Sequence, residues 1–170
     1  MEKENFLQRM ISKARSAVSS KSTYQAPARP VKEPAFDRDR LLYALGMSET
    51  SIIPEEQRYS SSQFSGKPKL GDALGKYRVT ENELKHYSPR YLGIEVTRKE
   101  FLENPGLQDR YVLNKFKTLT EKDKYTLEQV ADIHNKGIQK SSDPGSDIYQ
   151  NPKYVNDFIN FYNNYQLTNK

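Results

Sequence analysis

The sequence predicts an all-α body preceded by an extended N-terminal arm. Three observations carry this reading. Five helix-start signals fall between residues 80 and 152, the last of them opens a run with a helical apolar face, and a serine- and proline-rich stretch within the first 36 residues sets the arm apart from that body.

The arm comes first in the chain. Phe6, Leu7, Met10, Ile11, Ala14 and Val18 recur three to four residues apart, which predicts a short amphipathic helix with Lys and Arg on its other face. Charges interrupt the apolar positions, so no continuous signal-peptide core is present. Ser19 to Thr23 and then Pro27, Pro30 and Pro34 predict an extended linker. The arm carries seven Lys or Arg and three Glu, a net charge of +4, against +5 for the whole chain. The body is therefore nearly neutral. Three readings of the arm stand: a segment that folds on a partner protein, a helix lying on a membrane surface, or a solvated tail. Nonspecific contact with DNA phosphates is a minor form of the first, because nothing in the arm reads bases.

In the body, residues 38–49 form the first predicted helix, and residues 50–75 read as a long irregular loop rich in Ser, Gly and Pro. Thr80-Glu81-Asn82-Glu83, Thr97-Arg98-Lys99-Glu100 and Thr126-Leu127-Glu128-Gln129 each match the capping-box pattern. Asn104-Pro105 and Asn151-Pro152 place Asn at an N-cap and Pro at the first helical position. The helices that follow span roughly 81–87, 98–103, 105–119, 127–136 and 152–165. In the last, Tyr154, Val155, Phe158, Phe161, Tyr162 and Tyr165 share one face and read as core.

Composition narrows the chemistry. The 170 residues are 35% apolar and contain no Cys and no Trp, with a mean hydropathy of −0.92. Disulfides, thiol catalysis and cysteine metal sites are excluded, and His86 and His134 lie too far apart in sequence to suggest a His-based metal site. No cofactor is expected. No apolar run approaches the ~20 residues that span a bilayer, which predicts a soluble protein. Phosphate loops, dinucleotide fingerprints and nucleophile elbows are absent, leaving carboxylates and hydroxyls.

One carboxylate stands out. Glu49 falls four residues after Leu45 and eight after Leu41, so it continues the apolar face of the first helix at its C-terminal end. Partial burial and the negative end of the helix dipole both favour the protonated acid, as a general acid for glycosidic cleavage requires.

Four segments then carry a family resemblance. Gly71-Asp72-Ala73-Leu74-Gly75-Lys76-Tyr77-Arg78-Val79 resembles the GD-x-A-x-GKYQ-V stretch of phage-type lytic transglycosylases in the goose-lysozyme-like superfamily. Upstream, Ala44 to Thr50 is similar to the helix end that carries the family's Ala-x-x-x-E-S motif. Downstream, Thr97 to Asp109 is similar to the T-x-E-x-FL-x-x-P-x-x-QD segment, and Val130 to Gly137 to the A-x-x-YN-x-G helix end. Tyr154-Val155 matches a YV near the family's C-terminus, so the likeness covers residues 41–162.

The resemblance implies a lysozyme-like domain over residues 37–170 with an active-site cleft that cuts the MurNAc–GlcNAc β-1,4 bond of peptidoglycan. Glu49 would be the single acid/base, forming a 1,6-anhydro product, and Thr50, Tyr77, Arg78, His134 and Asn135 would line the substrate site. Hydrolysis would need a second carboxylate, for which Glu55, Glu56 and Asp72 are candidates with more ordinary lives as loop residues. Three positions depart from the family: Arg78 stands for Gln, Thr50 for Ser and His134 for Tyr. With no signal peptide read in the chain, delivery inside a phage particle is expected, with residues 1–36 docking on other virion proteins and the enzyme acting at the periplasm or cell wall. The rival reading is a structural virion protein on a catalytically degenerate lysozyme-like fold. A third is a sugar-binding module that grips peptidoglycan through the same Tyr-rich cleft without cutting it.

Overall fold

The computed structural model describes residues 36–65, 67–137 and 149–165. The predicted arm helix and linker lie outside the described residues. The body is mainly helical, with one small antiparallel sheet.

Local signals set the helix starts. Helix α1 (Arg38–Thr50) begins where the Asp37 side chain accepts from the Arg40 N–H, and it buries Leu41, Ala44 and Leu45. A four-residue helix α2 (Glu55–Arg58) follows. Helix α3 (Glu81–Leu92) is capped by Thr80, α4 (Arg98–Glu103) by Thr97 and α5 (Pro105–Lys117) by Asn104. A π-helical turn (Thr118–Lys122) extends α5. Helix α6 (Leu127–Lys136) starts at Thr126 and α7 (Pro152–Asn164) at Asn151. All five cap residues read from the sequence accept a backbone N–H of their helix's first turn.

Two expectations are corrected. Helix α3 runs past Ser88 to Leu92 although Pro89 lies inside it. Proline removes one backbone donor, and the carbonyl it orphans, that of Lys85, belongs to an exposed residue where water can take its place. Buried Tyr91 holds the last turn in the core, and the Gly93 N–H bonds the Pro89 carbonyl to close it.

The second correction concerns residues 50–75 and the all-α class. Instead of an irregular loop, they contain α2, a short 3-10 turn (Pro68–Leu70) and strands β1 (Ser62–Phe64) and β2 (Asp72–Leu74). With β3 (Val79–Thr80) these make an antiparallel sheet in the order β1-β2-β3, with Gln63 opposite Ala73 and Leu74 opposite Val79. Strands of two or three residues show no alternation that a sequence reading could detect.

The core lies between α1, α5, α6 and α7. Helix α1 packs chiefly on α7, α7 also on α6, and α3 on α5. Phe116 and Phe158 are fully buried at the centre, and Phe36 meets the Phe116 ring edge-on at 6.2 Å between centroids. The Asp37 N–H donates to the Tyr162 hydroxyl at 2.7 Å and ties the start of α1 to α7. This frame holds the end of α1 against the turn between β2 and β3 through Thr50 and against α7 through Tyr154. Among the described residues, no helix is long and apolar enough to cross a membrane.

Candidate active site

Glu49 ends α1 inside the molecule, its side chain 12% exposed. The Tyr154 hydroxyl donates to Glu49 Oε1 at 2.6 Å. Asn135 stands near the carboxyl and favours its ionised form slightly. The Asn135 amide oxygen accepts from Asn151 Nδ2 at 2.9 Å, which ties the end of α6 to the start of α7. Burial pushes the Glu49 pKa above the ordinary carboxylate value. The Tyr154 hydrogen bond, then the charges of Arg78 and Lys115, then Asn135 pull the other way without cancelling it.

The segment Gly71 to Val79 is β2, a four-residue turn and the start of β3. Gly75 opens the turn at φ 67°, and a Cβ there would collide with the Gln108 amide, so only glycine fits. Fully buried Gln108 accepts from the Lys76 N–H at 3.0 Å and donates to the carbonyls of Tyr59 and Phe101. Asp109 accepts from the Tyr77 hydroxyl at 2.6 Å and the Tyr59 hydroxyl at 3.0 Å. Two sequence segments some thirty residues apart therefore clasp one another. Arg78 leaves the turn in the left-handed region, φ 53°, with its side chain in the cavity beside Glu49.

The opposite wall is built on His134. Its Nε2–H donates to the Tyr77 carbonyl at 2.8 Å, and its Nδ1 accepts from Lys115 Nζ at 3.2 Å. Those bonds use the neutral ring, and burial plus the Lys115 charge hold the His134 pKa down at about 4. His134 Nε2 lies 4.0 Å from Glu49 Oε1. Lys115, itself buried, donates to Glu83 Oε1 at 2.7 Å, and the Tyr111 hydroxyl donates to the same oxygen at 3.2 Å. Burial pushes the Glu83 pKa up, but the charge and hydrogen bond of Lys115, with the Tyr111 hydroxyl, bring it below the ordinary carboxylate value. The two cavity carboxylates thus sit on opposite sides of normal.

Between these walls lies a cavity of about 620 Å³, bordered by Glu49, Arg78, Glu83, Lys115, His134 and Asn135 among others. It is large enough for a sugar unit or more and combines apolar with polar lining, as ligand sites do. Among the described residues no group of His, Asp and Glu side chains is placed to hold a metal ion.

Of the residues expected at the site, Glu49, Arg78, His134 and Asn135 border the cavity. Thr50 and Tyr77 do not. The Thr50 hydroxyl is fully buried, donating to the Gly46 carbonyl at 2.9 Å and the Lys76 carbonyl at 3.1 Å, and so ties the end of α1 to the turn. Tyr77 is equally buried and reaches the site through its backbone carbonyl alone. Nor do Glu55, Glu56 and Asp72 border the cavity; both glutamates are exposed on α2, and Asp72 is bound to Arg98 at 3.0 Å.

Sequence reading missed Glu83, Lys115 and Tyr154. Glu83 was absorbed by its capping-box position, yet only half of that box exists: Thr80 caps the helix while the Glu83 carboxylate turns to Lys115. The available signal for Tyr154 was a tyrosine, not a phenylalanine, on the core face, since a buried hydroxyl needs a partner. No protein-family model, curated protein or solved structure matches this chain.

Proposed function

We propose that this protein is a peptidoglycan lytic transglycosylase with Glu49 as its acid/base. The observation that carries the reading is a buried carboxyl with a raised pKa, held by the Tyr154 hydroxyl at the edge of a sugar-sized cavity. The segments that carry the family resemblance support it from a second direction. The turn at 75–78, Gln108-Asp109, His134-Asn135 and Tyr154, far apart in the chain, are all joined to the Glu49 neighbourhood by the bonds above. A lysozyme-like fold is part of the same proposal.

In this mechanism Glu49 gives its proton to the glycosidic oxygen as the bond to C1 of MurNAc breaks. The GlcNAc side leaves as an alcohol, and positive charge develops at C1, where the substrate's own N-acetyl group can assist. The Glu49 carboxylate then takes the proton of the MurNAc 6-hydroxyl, whose oxygen closes on C1 to give the 1,6-anhydro sugar and restore the acid. No water is consumed. Arg78 and Lys115 stabilise the carboxylate in the interval between the two proton transfers, since both charges act on Glu49. Neutral His134 adds no charge there. Glu83 is committed to Lys115 and Tyr111, which argues against its serving as nucleophile.

Arg78 beside Glu49 favours one rival, a structural virion component on a degenerate site. Against it, among the described residues Arg78 forms no ion pair with Glu49. A digest of purified peptidoglycan by the full chain and by Glu49→Gln, read by mass spectrometry, decides between them. Anhydro-muropeptides from the native protein and none from the variant are expected. Reducing-end products would replace transglycosylation with hydrolysis, and no products from folded protein would leave the structural reading.

A further inference from the structure

Arg78 is the one departure from the family pattern that places a permanent charge in the cavity. Its Nη1 is buried with no hydrogen-bond partner. A guanidinium carries five donors, and a buried unpaired one costs free energy unless something else occupies it. The backbone holding it is left-handed, φ 53°, a conformation an arginine adopts at a cost and one that concentrates at ligand-binding positions. The turn that imposes it is anchored on Gln108 and Thr50, so Arg78 is delivered to the cavity by rigid neighbours.

The cavity's charge balance points the same way. Glu83 is neutralised by Lys115, and Lys67 also borders the space, its ammonium in no ion pair among the described residues. Arg78 and Lys67 then outnumber Glu49, so the rest of the lining is net cationic whether or not Glu49 is ionised. A neutral sugar chain has no use for that charge. MurNAc has one, because it carries a lactyl carboxyl, which is either free or linked to a stem peptide that brings carboxylates of its own.

We propose that Arg78 binds a carboxylate of the glycan strand, next to the bond that Glu49 protonates. The inference rests on the glycan-cleaving reading and deepens it by naming the substrate group recognised. Guanidinium and carboxylate match as planar, two-pronged partners. The pairing also has a consequence for the acid. Arg78 is one of the charges that favour ionised Glu49, and a bound carboxylate offsets it. Glu49 therefore holds its proton more firmly when an anionic strand is seated than when the cleft is empty.

The test is calorimetric binding to the full-length Glu49→Gln protein, which prevents turnover. Three hexasaccharide probes are compared: chitohexaose, alternating GlcNAc–MurNAc with free lactyl carboxyls, and the same strand bearing stem peptides. At least about tenfold tighter binding of one carboxylate-bearing strand over chitohexaose is expected, a charge-assisted preference of ordinary size. Preference for the free strand identifies the lactyl group, and preference confined to the peptide-bearing strand identifies the stem. Adding Arg78→Gln erases the preference while chitohexaose still binds, and Arg78→Lys keeps part of it. Equal binding of all three probes, or a preference that survives Arg78→Gln, overturns the carboxylate inference alone. Failure of folded protein to bind any of the three overturns the glycan reading with it. The comparison among probes needs no Arg78 variant, so a misfolded one does not remove the test.

Discussion

Glu49 and Glu83 are the same side chain on two walls of one cavity, and their surroundings push them in opposite directions. Glu49 is buried against a phenol and an amide, with its cations at a distance, and burial dominates. Glu83 is buried as well, but an ammonium sits 2.7 Å from its oxygen. Burial alone therefore does not make an acid. The absence of a contacting cation does, and here Lys115 is spent on Glu83 and on His134 Nδ1. Environment, not residue type, thus decides which of the two carboxyls holds its proton more firmly, and Glu83 is left as a structural anion.

The comparison breaks most sharply in activity. Glu49→Gln is expected to lower anhydro-muropeptide release by about a thousandfold, within the range of a lost general acid, with the melting temperature unchanged or raised. Glu83→Gln is expected to show the opposite profile, a loss of about 4 kcal/mol in urea denaturation, because it leaves the buried Lys115 ammonium without its anion. Lys115→Met added to Glu83→Gln should recover most of that loss.

The pH dependence of stability sharpens the same contrast. His134 is held at about 4, below the ordinary imidazole value of about 6.5, so in that interval the unfolded chain binds a proton that the folded chain refuses. Stability is lost as pH falls through the interval, by about 3 kcal/mol for this group. Glu83, also held low, adds a loss at still lower pH, and Glu49 opposes both because its raised pKa favours the folded state as it protonates. Chemical denaturation at pH 7 and pH 4.5 reads the His134 loss net of the Glu49 gain, and His134→Gln should flatten it. The smallest effect is that of Tyr154→Phe. Removing its hydrogen bond to Glu49 takes away the largest influence opposing burial, so the basic limb of the pH–activity profile should move upward with little change in stability.

The helical frame was legible because its signals are local. Thr80, Thr97, Asn104, Thr126 and Asn151 each cap a helix through a backbone group within three residues, and that pattern is written in consecutive letters. Glu49 was legible for the same reason, as a charge on an apolar helix face. The sheet was not, since two- and three-residue strands have no period. Glu83, Lys115 and Tyr154 were hidden for a different reason: Lys115 lies 32 residues from Glu83, and Tyr154 lies 105 residues from Glu49. Each also had a sufficient local explanation, as cap, surface charge or core aromatic. Only the tertiary contact distinguishes the two uses of the residue.

Carbon-13 NMR titration of the glutamate side-chain carboxyls in the full-length protein, assigned with Glu49→Gln and Glu83→Gln, tests the division of roles most directly. The account predicts that the Glu49 signal titrates above the ordinary carboxylate range and the Glu83 signal below it. A Glu49 carboxyl that titrates at or below the ordinary value would contradict the account, because no general acid would then stand in the cleft at neutral pH.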